Sequence, residues 1–178
     1  LIPFNPDGSI GKDYGFTGKL NNATLRLTKE FIIKNLTTEI NHIRQDNSEN
    51  FKIIITKGSL YDLEFADSTI NVNRKNNETE IESFLRTNGK LNFSQIKKIS
   101  SITNLNVSNF KEINGIADLK TNVSFVLDEH FKARNFIYSI KGTVNHFEIH
   151  TSEKKFIKKY LPEYDPKIIL KNTKIELF

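Results

Sequence analysis

The chain has 178 residues, a net charge of +5 and 37% hydrophobic residues, a size at which one domain can bury a core. It contains no cysteine, which excludes disulfides and thiolate chemistry. No apolar run reaches the ~20 residues that a membrane-spanning helix needs, and no signal peptide begins the chain. Because the first residue is Leu1, we expect residues 1–178 to be a single fragment of a longer protein.

The positive charge comes mainly from lysines that are scattered along the polar sides of the strand-like segments. Nucleic-acid surfaces usually cluster arginine with stacking aromatic residues, so we expect no nucleic-acid partner. Scattered lysines also discourage pairing between sheet edges. An anion-binding surface that uses these lysines, such as one facing an anionic membrane, stays open as a weaker alternative.

Alternating apolar and polar residues predict a mainly β chain of about nine or ten strands. In chain order the alternating runs are 17–27, 51–55, 61–65, 70–72, 81–85, 114–128, 136–149 and 169–177. Within the run 136–149, His146 breaks the alternation, and Phe147 resumes it. A slip of this kind predicts a β-bulge.

Four isolated glycines precede strand-like runs: Gly58, Gly89, Gly115 and Gly142. Glycine takes positive φ without steric cost, so these residues are expected in turns where strands begin, at intervals of roughly 25 to 40 residues. This spacing indicates a repeating meander.

Two segments have helical spacing instead. Apolar residues recur every three positions from Phe93 to Ile102. Over 153–161, a helix would place its apolar residues on one face and its lysines on the other, and it would end at Pro162. The lysine face of the second helix is expected in solvent, with contact to lipid headgroups as the alternative. The predicted fold is an elongated, curled antiparallel sheet, a β-groove or taco-like meander, with two short helices.

Few residues could converge on a catalytic or metal site. His146 and His150 would lie about 13 Å apart on one side of a strand, too far to share a metal ion. Asp62 and Glu64 share a strand face, as polar residues on alternating strands often do by chance. His42 and His130 are expected in polar, turn-like surroundings. We therefore expect no catalytic residue, no metal ligand and no cofactor.

The apolar strand faces have two interpretations. A sheet normally buries such a face against a second layer as plain core. This sequence, however, offers little material for a second layer, and a curled sheet could leave a trough for acyl chains, with each buried methylene worth about 0.8 kcal/mol. The candidate lipid-binding residues are those of the cleanest alternation: Leu119, Val123, Phe125, Leu127, Tyr138, Ile140, Ile53, Ile55, Leu63 and Phe65.

The segment from F-K-E-I-N-G-I-A-D-L-K-T-N-V-S-F-V-L to N-F-I-Y-S-I-K-G-T-V-N-H-F-E-I resembles the AsmA-like envelope proteins of Gram-negative bacteria, nearest to their YhdP branch. The likeness covers roughly residues 15–150, and the family's usual proline is absent from V-L-D-E-H at the end of the first strand. The positions that match the family pattern are Gly115, Leu119, Val123, Phe125, Leu127, Tyr138, Ile140, Gly142, Val144, Phe147 and Ile149.

This resemblance implies a repeating β-groove unit over 15–150, followed over 151–178 by a short amphipathic helix and the start of another strand. It also implies a non-enzymatic, periplasmic segment that conducts phospholipids between the inner and outer membranes. The implied partners are phospholipid acyl chains and the inner membrane, through an anchor outside this chain, and a contact with the outer membrane is left open. The fragment is further expected to self-associate through open sheet edges. The rival hypothesis is a structural or adhesive β-sandwich with a self-filled core and no lipid.

Overall fold

The structure is a computed structural model. It describes residues 4, 6–8, 11, 13–26, 29, 32–45, 48–75, 77–103, 107–130, 132–151 and 159–177.

Nine described strands form a single antiparallel sheet that is open, and this confirms the mainly β prediction. Strands β1 to β7 follow chain order across the sheet, while β8 and β9 both pair with β7, at 147–150 and 140–144. Among the described residues there is thus one sheet and not the two stacked sheets of a sandwich. The strands are β1 (Tyr14–Arg26), β2 (Ile32–Gln45), β3 (Ser48–Leu60), β4 (Leu63–Lys75), β5 (Glu78–Asn92), β6 (Phe110–Leu127), β7 (Ala133–Thr151), β8 (Lys167–Leu170) and β9 (Thr173–Leu177).

One helix is described, α1 (Phe93–Thr103), in the connection between β5 and β6. Its start is a reciprocal cap, because the Gln95 N–H donates to Asn92 Oδ1 at 3.0 Å and the Asn92 N–H donates to Gln95 Oε1 at 2.9 Å. The sequence predicts two helices. The second, over 153–161, lies mostly outside the described residues, and of its described part only Lys159 and Tyr160 have helical backbone.

Strand register assigns each paired residue to one of two faces, since residues directly opposite one another project to the same side. We call one side the apolar face and the other the polar face. In the paired strands, the charged residues lie on the polar face except for Arg44, Glu49 and Arg74. The large apolar residues of the apolar face are Tyr14, Phe16, Leu20, Leu25, Ile33, Leu36, Ile40, Phe51, Ile53, Ile55, Leu60, Leu63, Phe65, Ile70, Val72, Ile81, Leu85, Leu91, Ile113, Leu119, Val123, Phe125, Leu127, Phe136, Tyr138, Ile140, Val144, Phe147, Ile149, Ile168, Leu170, Ile175 and Leu177.

Five bulges in four of the long strands lie at residues with positive φ: Asn22, Asn35, Asp67, Asn135 and His146. The ladders shift register at these five positions, and also at 55–57 of β3 and 110–112 of β6, where no residue has positive φ. The bulge predicted at His146 is confirmed, with φ of 48°. In each case the residue after the positive-φ residue returns to the apolar face. Each of these bulges therefore returns the apolar side chains of its strand to the apolar face after a break in the alternation.

The buried strand residues all lie on the apolar face. The main cluster consists of Ile113, Ala117, Val144 and Phe147, against which Phe93 and Ile96 of helix α1 pack. Elsewhere on this face burial is sparse and includes Leu36, Ile55 and Leu63. The sheet thus has a compact core at the α1 end only.

The four isolated glycines do not lie in turns as predicted, because each lies inside a long strand. At Gly115 the reason is close packing, since an added Cβ would lie 2.3 Å from Cδ2 of Phe147. At Gly89, φ is +145° and an added Cβ would collide with the carbonyl oxygen of Asp62. The β3–β4 turn is instead formed by Tyr61 and Asp62, although Tyr61 had been assigned to a strand.

We predict that Gly115→Ala lowers the free energy of unfolding by about 1–3 kcal/mol, because the new methyl group overlaps Phe147. Gly18→Ala is the matched control. Gly18 lies on the same face of β1 with no atom within 4 Å of an added Cβ. Urea titrations of both variants measure the difference, and equal stability would show that the Phe147 ring and its backbone shift freely.

Candidate functional site

All ten predicted lipid-binding residues lie on the apolar face, distributed over β3, β4, β6 and β7. Ile55 and Leu63 are buried, Tyr138 is 39% exposed, and the other seven are half-buried. Phe125 also stacks on Phe136, with ring centroids 5.9 Å apart. The residues thus share one apolar surface, and most of them remain partly open to solvent.

Within the described part of the chain, little covers this face. The strands contact their sheet neighbours, and helix α1 contacts β5 and β6 at one end. The chain exposes 12775 Å², compared with about 8,900 Å² expected for a compact monomer of its 20.6 kDa mass. A single layer with an uncovered side contributes to an excess of this kind.

Among the paired residues that the structure describes, charge on the apolar face lies at the end opposite α1, which we call the charged end. It consists of Arg44, Glu49 and Arg74, near the hairpins that join β2 to β3 and β4 to β5. Arg44 forms an ion pair with Glu49 at 3.2 Å and lies over the Tyr14 ring. A side-chain hydrogen bond with Tyr14 and the Glu49 charge raise the pKa of Arg44.

His42 lies on the apolar face beside the charged end and is 4% exposed. Its ring contacts Tyr14, Phe16 and Phe51, with centroids 5.5, 5.0 and 4.2 Å away. Neither Nδ1 nor Nε2 has a hydrogen-bond partner. A buried polar group without a hydrogen-bond partner lowers the folding stability by about 1–3 kcal/mol. The expectation of polar, turn-like surroundings for His42 is therefore wrong.

The sequence analysis missed this residue because it missed β2 altogether. Two features obscured the strand: the bulge at Asn35, and Thr38 on the apolar face, where its hydroxyl donates to Ile54 O at 2.8 Å. The alternation of Leu36, Thr38, Ile40 and His42 is the signal that could have found it.

The other candidate residues do not form a reactive group. Asp62 lies in the β3–β4 turn, where its Oδ2 accepts a hydrogen bond from Gln95 Nε2 at 3.1 Å, and Glu64 lies on the polar face. His150 is paired with Glu112 on the polar face, and His146 is the bulge residue. The described residues contain no group of three or more His, Asp or Glu placed to hold a metal ion.

No helix in the described part of the chain has the length and apolar character needed to cross a membrane.

Comparisons with protein-family models, with curated proteins and with solved structures return no match. The resemblance to the AsmA-like family therefore stays a prediction from the residues quoted above.

We predict that His42→Phe raises the free energy of unfolding of the ligand-free protein by about 1 kcal/mol or more, because it removes two unpaired polar atoms from an aromatic cluster. Thr38→Val is the control, since Thr38 is buried on the same strand face but its hydroxyl is hydrogen-bonded. Urea unfolding should show stabilisation by the first change and none by the second. A loss of stability in His42→Phe would contradict this account of the ring.

Proposed function

We propose that this chain is a non-enzymatic lipid-holding segment, in which the apolar face forms a groove for phospholipid acyl chains. The observation that carries the proposal is the continuity of this face across β1 to β9, with charges only at one end and helix α1 only at the other. Soluble monomers rarely expose contiguous apolar surface beyond a few hundred Å², and larger patches usually have a ligand or partner.

The bulges support a curled sheet. Those at Asn22, Asn35 and Asp67 are close together across neighbouring strands, because the affected pairs run from Leu20 in β1 to Thr69 in β4. Each bulge bends its strand and increases the local twist, so a row of bulges folds the sheet across its strands. Burial on the apolar face alone, without a second described layer, agrees with that face being concave.

A groove of this kind suits acyl chains because its walls are mostly aliphatic and aromatic. Among the polar residues of the same face, the Thr38, Ser68 and Ser83 hydroxyls are already hydrogen-bonded, and those on β5 and β6 also include Thr79, Thr87 and Thr121. Each buried methylene contributes about 0.8 kcal/mol wherever it lies. Neighbouring positions thus bind a chain about equally, which leaves small barriers to sliding, and transport needs no covalent step.

The resemblance to AsmA-like proteins supplies the rest of the proposal. From it we propose that the chain lies in the periplasm as part of a longer protein that is anchored in the inner membrane and moves phospholipid towards the outer membrane. A β-sandwich without lipid is the rival, and the single open sheet gives it no second layer within the described residues.

Native mass spectrometry with lipid extraction tests the proposal, and we predict that the purified protein carries phospholipid. Val123→Glu, which places a charge on the apolar face, should lower the bound lipid at least about tenfold, since a buried unpaired charge is costly. Asn122→Glu is the matched control. Asn122 is adjacent to Val123 but is exposed and projects to the polar face. This variant adds the same charge there and should retain the lipid.

Two results would count against the proposal. One is a lipid-free mass for a fully soluble wild-type monomer. The other is a lipid-free dimer, whether its second copy covers the apolar face or pairs with a sheet edge.

The sheet edges give a further expectation. No described strand pairs with the outer side of β1 or with 133–139 of β7. Unpaired strand edges template further pairing, so we predict self-association that grows with concentration in analytical ultracentrifugation. Tyr138→Pro, in the part of β7 whose outer side has no described partner, should reduce it because proline removes an N–H and disfavours strand pairing. A wild-type protein that stays strictly monomeric at high concentration would contradict this.

A further inference from the structure

We propose that the charged end of the apolar face, with His42 beside it, binds the oxyanion of an amphiphile: the carboxylate of a fatty acid or the phosphate of a phospholipid. The inference rests on the proposed function, because it requires that the apolar face hold the hydrocarbon tail. It adds the class of headgroup and the place where the headgroup lies.

The first support is the unsatisfied ring of His42, 4% exposed and without a partner for either nitrogen. A neutral imidazole has one N–H donor and one acceptor nitrogen, so a carboxylate or phosphate oxygen can accept from the N–H and satisfy one of the two nitrogens. The walls around the ring are Tyr14, Phe16 and Phe51. Phe16 is 48% exposed on the sheet-edge strand β1, so this wall can shift without disturbing a core.

The second support is the placement of cations. Arg44 and Arg74 are the two cations among the paired residues of the apolar face, and both lie at this end. Arg74 follows Val72 on β4, and Val72 pairs with Phe51, whose ring contacts His42. Two strand spacings of about 4.8 Å separate β2 from β4, and the half-buried Phe51 ring of β3 lies between them. An arginine side chain and the imidazole therefore reach one headgroup together once the Phe51 ring turns aside. Arginine suits both carboxylates and phosphates because its planar fork donates two parallel hydrogen bonds.

Arg74 lines an open depression of about 510 Å³ together with Phe51, Val72 and Thr79. Three carboxylates also border it: Glu49, Asp128 and Glu129. Glu49 is paired with Arg44 at 3.2 Å. Asp128 Oδ1 accepts hydrogen bonds from the N–H groups of His130 and Lys132 at 2.9 and 3.0 Å.

These hydrogen bonds, chiefly that from Lys132, and the nearby Arg134 charge lower the pKa of Asp128. Glu129 is 66% exposed and lies 4.0 Å from His130, so solvent screens it. Arg74, in contrast, has no acidic atom within ion-pair distance among the described residues. It is therefore the cation in the depression that is available to a ligand.

The test uses calorimetric titration of the whole chain, stripped of lipid, with four probes: laurate, dodecanol, acetate and inorganic phosphate. We expect laurate to bind about tenfold more tightly than dodecanol, and acetate and phosphate alone to bind undetectably. Arg74→Gln and His42→Phe should each weaken laurate about tenfold and leave dodecanol within about twofold. Lys52→Gln is the control, because Lys52 is next to Phe51 on the same strand but lies on the polar face, and it should change neither affinity.

Each alternative result has a distinct meaning. Equal laurate binding by wild type, Arg74→Gln and His42→Phe would overturn the headgroup site and leave the acyl groove standing. Acetate or phosphate binding as tight as laurate would overturn it in favour of a site for free anions. Failure of both laurate and dodecanol to bind would remove the proposed function together with this inference. Arg74 is exposed and outside the core, so its variant keeps the test valid if His42→Phe folds poorly.

Discussion

Five residues with positive φ hold this sheet to one pattern, in which apolar side chains stay on one side along strands of 13 to 19 residues. A slip of one residue exchanges the faces of everything beyond it. Without the bulge at Asp67, Ile70 and Val72 would project to the polar face while Asn71 and Asn73 entered the apolar one. Asn, Asp and His tolerate left-handed backbone better than most residues, which explains their use at these positions.

Ser68 shows how such a bulge is sustained in the middle of a sheet. Its hydroxyl accepts the N–H of Arg86 at 2.9 Å and donates to the carbonyl of Ala66 at 3.0 Å. Ser68 is fully buried, so these groups would otherwise be left unpaired by the register shift and would carry a desolvation penalty. The side chain thus supplies the hydrogen bonds that the ladder loses, and the strand can bend without breaking.

The sequence predicted the strand content, the apolar face of β3 to β7, helix α1 and the bulge at His146. It predicted no strand over β2, because the slip at Asn35 and a threonine at an apolar position hide the alternation. The five bulges nevertheless share a local signal: Leu20-Asn-Asn-Ala, Ile33-Lys-Asn-Leu, Phe65-Ala-Asp-Ser, Ala133-Arg-Asn-Phe and Val144-Asn-His-Phe. In each, Asn, Asp or His takes positive φ and the next residue resumes the apolar face.

Other features depend on contacts between distant parts of the chain. Nothing near Gly115 indicates that the Phe147 ring will lie against it, and nothing near His42 indicates that Phe16 and Phe51 will enclose it from two neighbouring strands. The position of the β3–β4 turn is also ambiguous in the sequence. Tyr61 fits an alternating strand pattern, but in the structure it lies in this turn with a left-handed φ of 55°.

The two ends of the apolar face differ physically, and under the proposed function this difference would give an amphiphile one favoured orientation. At the α1 end, Ile113, Ala117, Val144 and Phe147 are buried, so a headgroup there would lose its water and gain no polar partner. At the other end, guanidinium groups and an unsatisfied imidazole remain. About 36 Å separates these ends along β4, at 3.3 Å per residue from Leu63 to Arg74. If a hydrocarbon chain is held about equally well along that path, as the proposed function requires, the polar end determines where an amphiphile stops.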